Sequence, residues 1–269
     1  MIKKAITLMG MSGVGKTTLS RKLPKHKWFH YSGDYRIASH YLNDAIGDFL
    51  KAEAMQSPLI AELLKSDSIY IGSNLSIDNL APVSAYIGKL GNPELGGLDM
   101  ATFLYRQRQH YRAEVAACYD VGYFKQRANQ LYSYAYFLHD AGGSICELDD
   151  NQVIAYLAKE TDFVYLHADD DLAEMLTQRA LDYPKPMYYN ESFLMQQLSH
   201  YKEEQRLTDV NEIIPDDFIT YIIPKLMQHR RSRYLAIAER YGKIIDASTV
   251  FHVRDEADFL ELLEQTPCR

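Results

Sequence analysis

The sequence has few cysteines, no long apolar run and no excess of positive charge. Its three cysteines, Cys118, Cys146 and Cys268, are odd in number and widely spaced among 269 residues. This argues against a disulfide framework and against a structural zinc site. No segment approaches the ~20 apolar residues of a membrane span. The basic and then apolar start, Met1–Met9, is too short for a signal peptide. We therefore expect a reduced, soluble, cytoplasmic protein without a membrane partner.

The charge balance and the missing motifs narrow the function further. The formal net charge is −7, so the protein as a whole has no electrostatic attraction to nucleic acid, and we expect no nucleic-acid partner. Apolar residues make up 47% and charged residues 24%, which is typical of a globular protein. The nine histidines show no H-E-x-x-H spacing, so we predict no zinc site.

The most specific pattern present is G-x-x-x-x-G-K-[ST], which predicts a phosphate-binding loop between a strand and a helix. The apolar run Ala5–Met9 precedes it as a buried strand, and Lys16–Leu23 follows it as a helix that Pro24 ends. The predicted nucleotide-binding residues are Gly10, Met11, Ser12, Gly13, Val14, Gly15, Lys16, Thr17 and Thr18.

Each residue type in this loop has a physical task. The glycines let the backbone curl so that successive N–H groups point at phosphate oxygens, and the helix that begins there adds its positive end. Lys16 is expected to contact the β- and γ-phosphates as a point charge. Thr17 is expected to offer its hydroxyl to Mg²⁺, and Thr18 to support the α-phosphate side. The sequence therefore predicts binding of a nucleoside triphosphate with Mg²⁺.

Five short apolar runs alternate with helical patterns, and this predicts an α/β fold. We expect a three-layer α/β/α P-loop fold with a mostly parallel five-stranded sheet, formed by one domain spanning residues 1–269. Large helical insertions are predicted at about 38–130, as a substrate-covering part, and at about 190–241. The predicted strands are Ala5–Met9, Lys27–Ser32, Tyr134–His139, Asp162–His167 and Lys243–Ile245.

Ligands of parallel α/β sheets bind beyond the carboxyl ends of the strands, so the residues there are the site candidates. Asp140 follows the third strand, where an acidic residue can hold Mg²⁺; it could instead cap the following helix. Asp34 follows the second strand, where a carboxylate can accept the proton of an acceptor hydroxyl, and Arg36 could hold an anionic group of that acceptor. A helix N-cap is the alternative for Asp34.

Other basic residues are weaker candidates. Arg179, after the fourth strand, could neutralise transition-state charge, as could Lys185 between two prolines; an exposed helix end explains them equally. Arg106, Arg108, His110 and Arg112 on a helix from Met100 to about Tyr119, and the cluster His229–Arg233, could face an anionic substrate. Solvation or pairing with Glu114 is the simpler explanation for the first group. Most of the 21 tyrosines are expected to pack between sheet and helices.

Residues 10–18 resemble those of P-loop NTPases in general. The segment Tyr31–Arg36, YSGDYR, is similar to the Gly-Asp-x-x-Arg-type element of small-molecule kinases such as adenylyl-sulfate kinase, and Asp140–Gly143, DAGG, is similar to the third-strand turn of shikimate kinase. The resemblance implies a central P-loop strand and a lid after the fourth strand. It implies phosphate and magnesium roles for Lys16 and Thr17, substrate roles for Asp34 and Arg36, and a lid role for Arg179. Ser32 stands where these families carry an acidic residue.

These patterns favour an ATP- and Mg²⁺-dependent phosphotransferase that acts on a small hydroxyl-bearing, anionic acceptor. ATP is expected rather than GTP, because the sequence lacks an N-K-x-D motif. The alternatives are a P-loop ATPase or a nucleotide-dependent regulatory protein that binds a protein partner and has no small-molecule acceptor.

Overall fold

A computed structural model describes residues 3–267, so Cys268 lies outside the described residues. All five strands are parallel, in the order β2-β3-β1-β4-β5, which places the strand before the glycine loop at the centre. The strands are β1 (Lys4–Met9), β2 (Trp28–Ser32), β3 (Tyr136–Asp140), β4 (Asp162–His167) and β5 (Gly242–Asp246).

The predicted α/β P-loop fold is confirmed, and every predicted strand is present within two residues of its expected bounds. The sheet is wholly parallel rather than mostly parallel. The central strand is buried from Ile6 to Met9, as expected for a strand covered by helices on both faces.

Twelve α-helices surround the described part of the sheet. They are α1 (Lys16–Lys22), α2 (Gly33–Arg36), α3 (Asn43–Ala54), α4 (Pro58–Lys65), α5 (Ala81–Ile87), α6 (Met100–Tyr132), α7 (Asn151–Glu160), α8 (Asp170–Asp182), α9 (Glu191–Gln205), α10 (Pro215–Tyr241), α11 (Ala247–His252) and α12 (Glu256–Gln265). A π-helical turn, Ile37–Tyr41, joins α2 to α3.

Two of these helices are much longer than the five- and six-residue strands of the sheet. Helix α6 has 33 residues and α10 has 27, which corresponds to about 50 and 40 Å. Asp99 caps α6 as predicted, because its carboxylate accepts from the backbone N–H of Thr102. The helix continues 13 residues past the predicted end at Tyr119 and reaches the third strand.

The two long helices lie largely within the ranges that were predicted as insertions, 38–130 and 190–241. Cys118 and Val121 of α6 and Ile223 and Tyr234 of α10 belong to the same apolar cluster as the sheet. Their amino-terminal portions form a second cluster with α9, through residues that include Phe103 and Phe218. Each of the ranges 38–130 and 190–241 therefore contains residues of a helix that packs on the sheet and also extends beyond it.

A third apolar cluster lies against α6. Helices α3 and α5 and the π-helical turn bury it, through residues that include Ile46 and Ala117. Cys118 and Cys146 are buried and unpaired. Among the described helices, none combines the length and apolar character that crossing a bilayer would require.

Candidate functional site

The glycine loop has the backbone that the motif predicts. Gly10, Gly13 and Gly15 have φ values of 152°, 84° and 105°, a region that other residues rarely adopt. A β-carbon on Gly10 would also lie 2.9 Å from the carbonyl oxygen of Leu166. The loop therefore needs glycine at these positions for both its curl and its contact with the neighbouring strand.

Lys16 begins helix α1 and is buried against the loop. Its ammonium group donates to the carbonyl oxygens of Gly10 at 2.8 Å and Met11 at 3.3 Å. The charge is thus held on the inner side of the loop, at the positive end of a helix. This arrangement is suited to binding a polyphosphate.

Thr17 and Asp140 meet at the end of the central strands. The Thr17 hydroxyl donates to Oδ2 of Asp140 at 3.0 Å, and Nε2 of His30 lies 3.5 Å from the same oxygen. Burial alone would raise the pKa of Asp140, but His30, Lys16 and Thr17 together lower it below its ordinary value. Asp140 therefore stays ionised beside a hydroxyl oxygen, and both are ligand types that Mg²⁺ prefers.

The residues present thus fit Mg²⁺ bound jointly by protein and nucleotide. Between residues 3 and 267, no group of three or more His, Cys, Asp and Glu side chains forms a separate metal site. The capping alternative for Asp140 is wrong, because Ser144 occupies the N-cap position of the next helical turn, Ile145–Glu147.

A cavity of about 500 Å³ opens beside the glycine loop at Ser12 and Gly13. It lies where α6 and α10 pass the carboxyl edge of the sheet. Its walls are largely apolar, and they include Ile37, Val83, Ile87, Leu176, Met187, Tyr188, Ile223 and Met227. Its polar lining includes Asp34, His110, Ser144, Arg179, Lys185 and Arg230. This combination is typical of a small-molecule site.

A larger depression of about 750 Å³ lies at the opposite edge of the sheet, around Lys3, Lys4 and Lys125. It is shallow and open, and it borders the amino ends of β1 and β4. Ligands of this fold class bind at the carboxyl ends of the strands. We therefore take the smaller cavity beside the glycine loop as the candidate site.

Asp34 lies in this cavity, one residue into helix α2. Burial is the main cause that raises the pKa of Asp34, and the negative charge of Asp140 adds to it; Lys16, Arg230 and the N–H of Gly143 oppose both. The N-cap alternative for Asp34 is wrong, because the Ser32 hydroxyl caps α2 by accepting from the backbone of Tyr35.

Arg36 lies elsewhere. Its Nε donates to Oδ2 of Asp120 at 2.7 Å, and its guanidinium lies over the rings of Tyr41 and Phe124. Among residues 3–267, the side chains that line the cavity do not include Arg36. Asp34 and Arg36 are two residues apart in α2, which turns their side chains about 200° from one another. The pair predicted from the YSGDYR segment is therefore split between the cavity and α6. This placement gives no support to acceptor binding by Arg36.

Arg179 and Lys185 both line the cavity. Arg179 extends from α8 towards the glycine loop, where its Nη1 is 3.9 Å from the position that a β-carbon on Gly13 would take. Lys185 lies on the segment that links α8 to α9. Two cations therefore line the cavity from the part of the chain that follows β4.

The sequence indicated Arg230 only as one member of the basic cluster His229–Arg233. In the structure Arg230 is 5% exposed and lines the cavity from α10. It donates to the carbonyl oxygen of Tyr188 at 2.7 Å and lies 3.6 Å from Oε1 of Glu147. Its Nε has no hydrogen-bond partner within the described chain. His110, on α6, also lines the cavity, and burial lowers its pKa to about 4, so it is neutral.

Glu114 was also missed as a site residue, since the sequence suggested only a surface partner for arginines. It is 2% exposed, and its Oε2 accepts from the Ser144 hydroxyl at 2.6 Å. A β-carbon on Gly142 would lie 2.8 Å from both Oε1 of Glu114 and Oδ1 of Asp34. The two carboxyl groups therefore approach one another across a glycine.

A sequence signal for these residues exists in the helical spacing. Phe103, Gln107, His110, Glu114, Ala117 and Val121 form the buried stripe of α6, and Ile223, Met227, Arg230 and Tyr234 form that of α10. Polar residues at apolar-face positions are informative because burying them has a cost unless they are paired or functional.

The other basic residues of α6 have structural partners. Arg106 donates to the carbonyl oxygen of Tyr86 and lies over the rings of Phe49 and Tyr86, and Arg108 makes two hydrogen bonds with Glu191. The expected pairing with Glu114 is therefore wrong for Arg108. Arg112 is exposed.

An aromatic side chain stands at the other side of the loop. Phe251 of α11 is 52% exposed, and its ring lies 3.6 Å from the position of a β-carbon on Gly15. The Lys22 ammonium holds this segment by donating to the carbonyl oxygen of Val253 at 2.6 Å. An exposed ring beside a phosphate-binding loop can stack on a nucleotide base.

Comparison with known proteins gives three findings. Residues 3–95 match the model of the PduV-EutP family, described as ethanolamine utilisation - propanediol utilisation. A search of curated proteins finds no match. A solved shikimate kinase from Bacteroides thetaiotaomicron is similar with a TM-score of 0.30 and 15% identity, covering 84% of this chain and 97% of that one. At this level the structural likeness carries no functional argument. The fold, the loop and the partial family match together support a P-loop NTPase-like fold with a nucleotide-binding loop.

Proposed function

We propose that this protein is an ATP- and Mg²⁺-dependent phosphotransferase that acts on a small hydroxyl-bearing, anionic acceptor. The observation that carries the proposal is the cavity of about 500 Å³, which joins the glycine loop at Ser12 and Gly13 and contains the carboxylate of Asp34. A hydrolase or switch needs space for water only, whereas this cavity has room for a second substrate. Helices α6 and α10 contribute both to the core that covers the sheet and to the cavity. We therefore propose that the sheet and these helices form one domain.

The nucleotide side is assigned to residues 10–18. The loop N–H groups and Lys16 bind the phosphate oxygens, and Thr17 with Asp140 holds Mg²⁺, with Thr18 beside them. The metal ion, when bound, neutralises charge on the phosphates. Phe251 is placed to stack on the purine, and either purine could stack there. ATP is preferred on sequence grounds because an N-K-x-D motif is lacking.

Asp34 is the proposed base. The acceptor O–H bond breaks as its oxygen forms a bond to the γ-phosphorus, and the proton goes to the Asp34 carboxylate. The bond from the γ-phosphorus to the bridging oxygen breaks, and its electron pair leaves on ADP. Arg179 neutralises charge that spreads over the transferred group. Catalysis is then mostly positioning and charge neutralisation.

The cavity lining indicates the type of acceptor. Its apolar walls suit a compact carbon skeleton, and Lys185 and Arg179 at one side suit an anionic substituent. Arg230 also lines the cavity, but its Nε is buried beside Glu147. Since Glu147 lies beside Arg230 at 3.6 Å, the charge of Arg230 is already partly balanced. The anion is therefore assigned to Lys185 and Arg179.

Replacing Asp34 by Asn tests this proposal. We expect nucleotide affinity to stay nearly constant and phosphoryl transfer to fall by about 10²–10⁴-fold, the usual effect of losing a general base. Nucleotide affinity is measured by calorimetry, and transfer by mass spectrometry of the γ-phosphate. Asp48→Asn, at an exposed position of α3, is the control. Transfer at the wild-type rate in Asp34→Asn would remove Asp34 from the mechanism.

The second candidate is a nucleotide-dependent regulatory ATPase or GTPase that acts on a protein partner. The PduV-EutP match, to a P-loop GTPase-like family, favours it. The match includes the loop and Asp34 but ends before α6, so Asp140, Arg179 and Arg230 lie outside it. Tighter binding of GTP than of ATP, with phosphate released only to water, would favour this candidate.

A further inference from the structure

Two acidic side chains approach each other at the inner end of the cavity. Oδ1 of Asp34 and Oε1 of Glu114 each lie 2.8 Å from the point that a β-carbon on Gly142 would occupy. The two oxygens therefore lie no further apart than twice that distance. Asp34 lies in α2, directly after β2, and Glu114 lies in the middle of α6, so the pair links the carboxyl end of the sheet to the long helix.

Glu114 is almost completely enclosed. It is 2% exposed, and within the described chain its Oε1 has no hydrogen-bond partner, while Oε2 accepts from Ser144 at 2.6 Å. An ionised carboxylate that is closed off from water and has one oxygen without a hydrogen bond is costly. The same group in its acid form leaves an O–H that can point across the glycine towards Asp34.

Charged and titratable groups reach Glu114 from every element packed around it. The charged groups are Asp34 from α2, Glu147 from the turn after β3, and Arg230 from α10. The titratable groups that stay neutral are His110 and Cys118 on α6, Cys146 after β3, Tyr188 before α9 and Tyr234 on α10. One cation therefore faces three carboxyl groups, and Glu147 is the carboxylate beside it.

The environments of the two carboxyls differ in a way that decides which one holds a proton. Asp34 has Lys16 and the N–H of Gly143 to stabilise its charge. Glu114 is more deeply buried, and burial is the main cause that raises its pKa to about 8; the Asp34 charge adds to this, while Ser144 and Arg230 oppose it. Like charges so close together do not both ionise readily.

We propose that Glu114 is a positioning residue for Asp34. The two carboxyl groups carry one proton between them, and that proton is on Glu114. Asp34 thereby keeps its negative charge next to the acceptor hydroxyl. This inference rests on the proposed function for its catalytic consequence. The pair carries one proton before transfer and two after it, because Asp34 takes the proton of the acceptor. The second proton then passes to water, which restores the starting state.

The sharing has a consequence at alkaline pH. When Glu114 loses its proton, a second negative charge appears beside Asp34 and disfavours an anionic acceptor there. Transfer therefore falls as the pH rises through about 8. For a single ionisation this is a loss of about tenfold between pH 7 and pH 9. Asp34 sets the acid side of the profile, because its pKa is raised and it must be ionised to accept a proton.

The first test needs no acceptor. The full chain is labelled with ¹³C at glutamate carboxyls and titrated by NMR. We expect one glutamate resonance with a midpoint near pH 8, against an ordinary value of 4.5, and Glu114→Gln should remove it. Asp34→Asn should move that midpoint to lower pH, because it removes the neighbouring charge. Ser144→Ala should move it to higher pH, because it removes a hydrogen bond to the ionised form.

If Glu114→Gln does not fold, Asp34→Asn and Ser144→Ala still test the inference, because both variants retain Glu114. A spectrum in which every glutamate titrates below about pH 6 would overturn the inference. So would a midpoint that Asp34→Asn leaves in place, because the two carboxyls would then not interact.

The second test uses ATP and a pooled small-metabolite extract, with transfer compared at pH 9 and pH 7. The wild-type ratio should be about one tenth, and Glu114→Gln should bring the ratio close to one, because its amide cannot ionise. A purely structural role for Glu114 would change the rate but not the ratio, and an unchanged alkaline loss in Glu114→Gln would contradict the inference. Absence of transfer at any pH would instead contradict the proposed function, with the NMR result standing separately.

Discussion

The two sides of the candidate site are built in different ways. The nucleotide side is a single run of residues, 10–18, in which glycine conformations and a helix start create most of the binding surface. The proposed acceptor side is assembled from side chains that are far apart in the sequence, among them Asp34, Glu114 and Arg230. The first is a property of local backbone, and the second is a property of how two long helices pass the sheet.

This difference shows what each side depends on. Backbone N–H groups point at phosphate whichever side chains surround them, so the loop needs only glycines, one lysine and one hydroxyl. The acceptor side needs its buried polar groups to be matched with one another, because an unmatched one is costly. We therefore expect substitutions to separate nucleotide binding from acceptor chemistry.

Lys16→Ala should have the largest effect on the nucleotide side. We expect nucleoside triphosphate affinity to fall about 100-fold or more, since Lys16 is assigned to two phosphates and a charge-assisted hydrogen bond contributes about 1.5–3 kcal/mol. Calorimetric titration with ATP and Mg²⁺ measures this, with Lys51→Ala, at an exposed position of α3, as the control. Unchanged affinity in Lys16→Ala would remove the assignment of the loop.

Gly142→Ala should affect the acceptor side. Its β-carbon would lie 2.8 Å from one oxygen of Asp34 and one of Glu114, so both carboxyls must move. We expect the free energy of unfolding to fall by about 1–3 kcal/mol, the usual cost of overpacking, and transfer to fall while ATP affinity is kept.

The neighbouring glycine offers a matched control for this substitution. A β-carbon on Gly143 would meet Ser12 only at 4.0 Å, an ordinary contact, so Gly143→Ala should change the free energy of unfolding by less than about 0.5 kcal/mol. Chemical denaturation of both variants gives the comparison. Equal destabilisation by the two substitutions would mean that the carboxyls do not approach each other across Gly142.

Gly47→Ala should have the smallest effect. Gly47 lies in α3, and nothing comes within 4 Å of the position that its β-carbon would take. We expect the free energy of unfolding to rise by about 0.5–1 kcal/mol, because alanine loses less conformational freedom in a helix. ATP affinity should stay the same, since α3 lies away from the loop. A lower stability would show that α3 is more tightly packed than the structure indicates.

Features that depend on neighbouring residues in the sequence could be predicted, and features that depend on distant residues could not. The parallel strands and the loop were predictable because short apolar runs and the motif at residues 10–18 depend on neighbouring residues alone. The end of α6 was missed by 13 residues, because Asp120, Gly122 and the polar run Lys125–Arg127 after Tyr119 resemble the end of a helix. The placement of Asp34 beyond β2 followed from topology, since strand ends meet at one edge.

The acceptor side could not be predicted in the same way. The YSGDYR segment places Arg36 close to Asp34 in sequence, yet the packing of α6 brings Asp120 to Arg36 and leaves Glu114 near Asp34. Such pairings depend on the rotation of a 33-residue helix about its axis, and the sequence offers only the hint of polar residues on a buried stripe. Arg230 shows the same hint on α10.

The most direct test of phosphotransfer follows the γ-phosphate of ATP by mass, with purified protein alone and with a pooled small-metabolite extract. We expect the γ-phosphate to appear on a metabolite, and we expect Asp34→Asn largely to prevent this while ATP still binds. Phosphate released to water at the same rate with and without the extract would contradict the phosphotransferase and favour the regulatory ATPase.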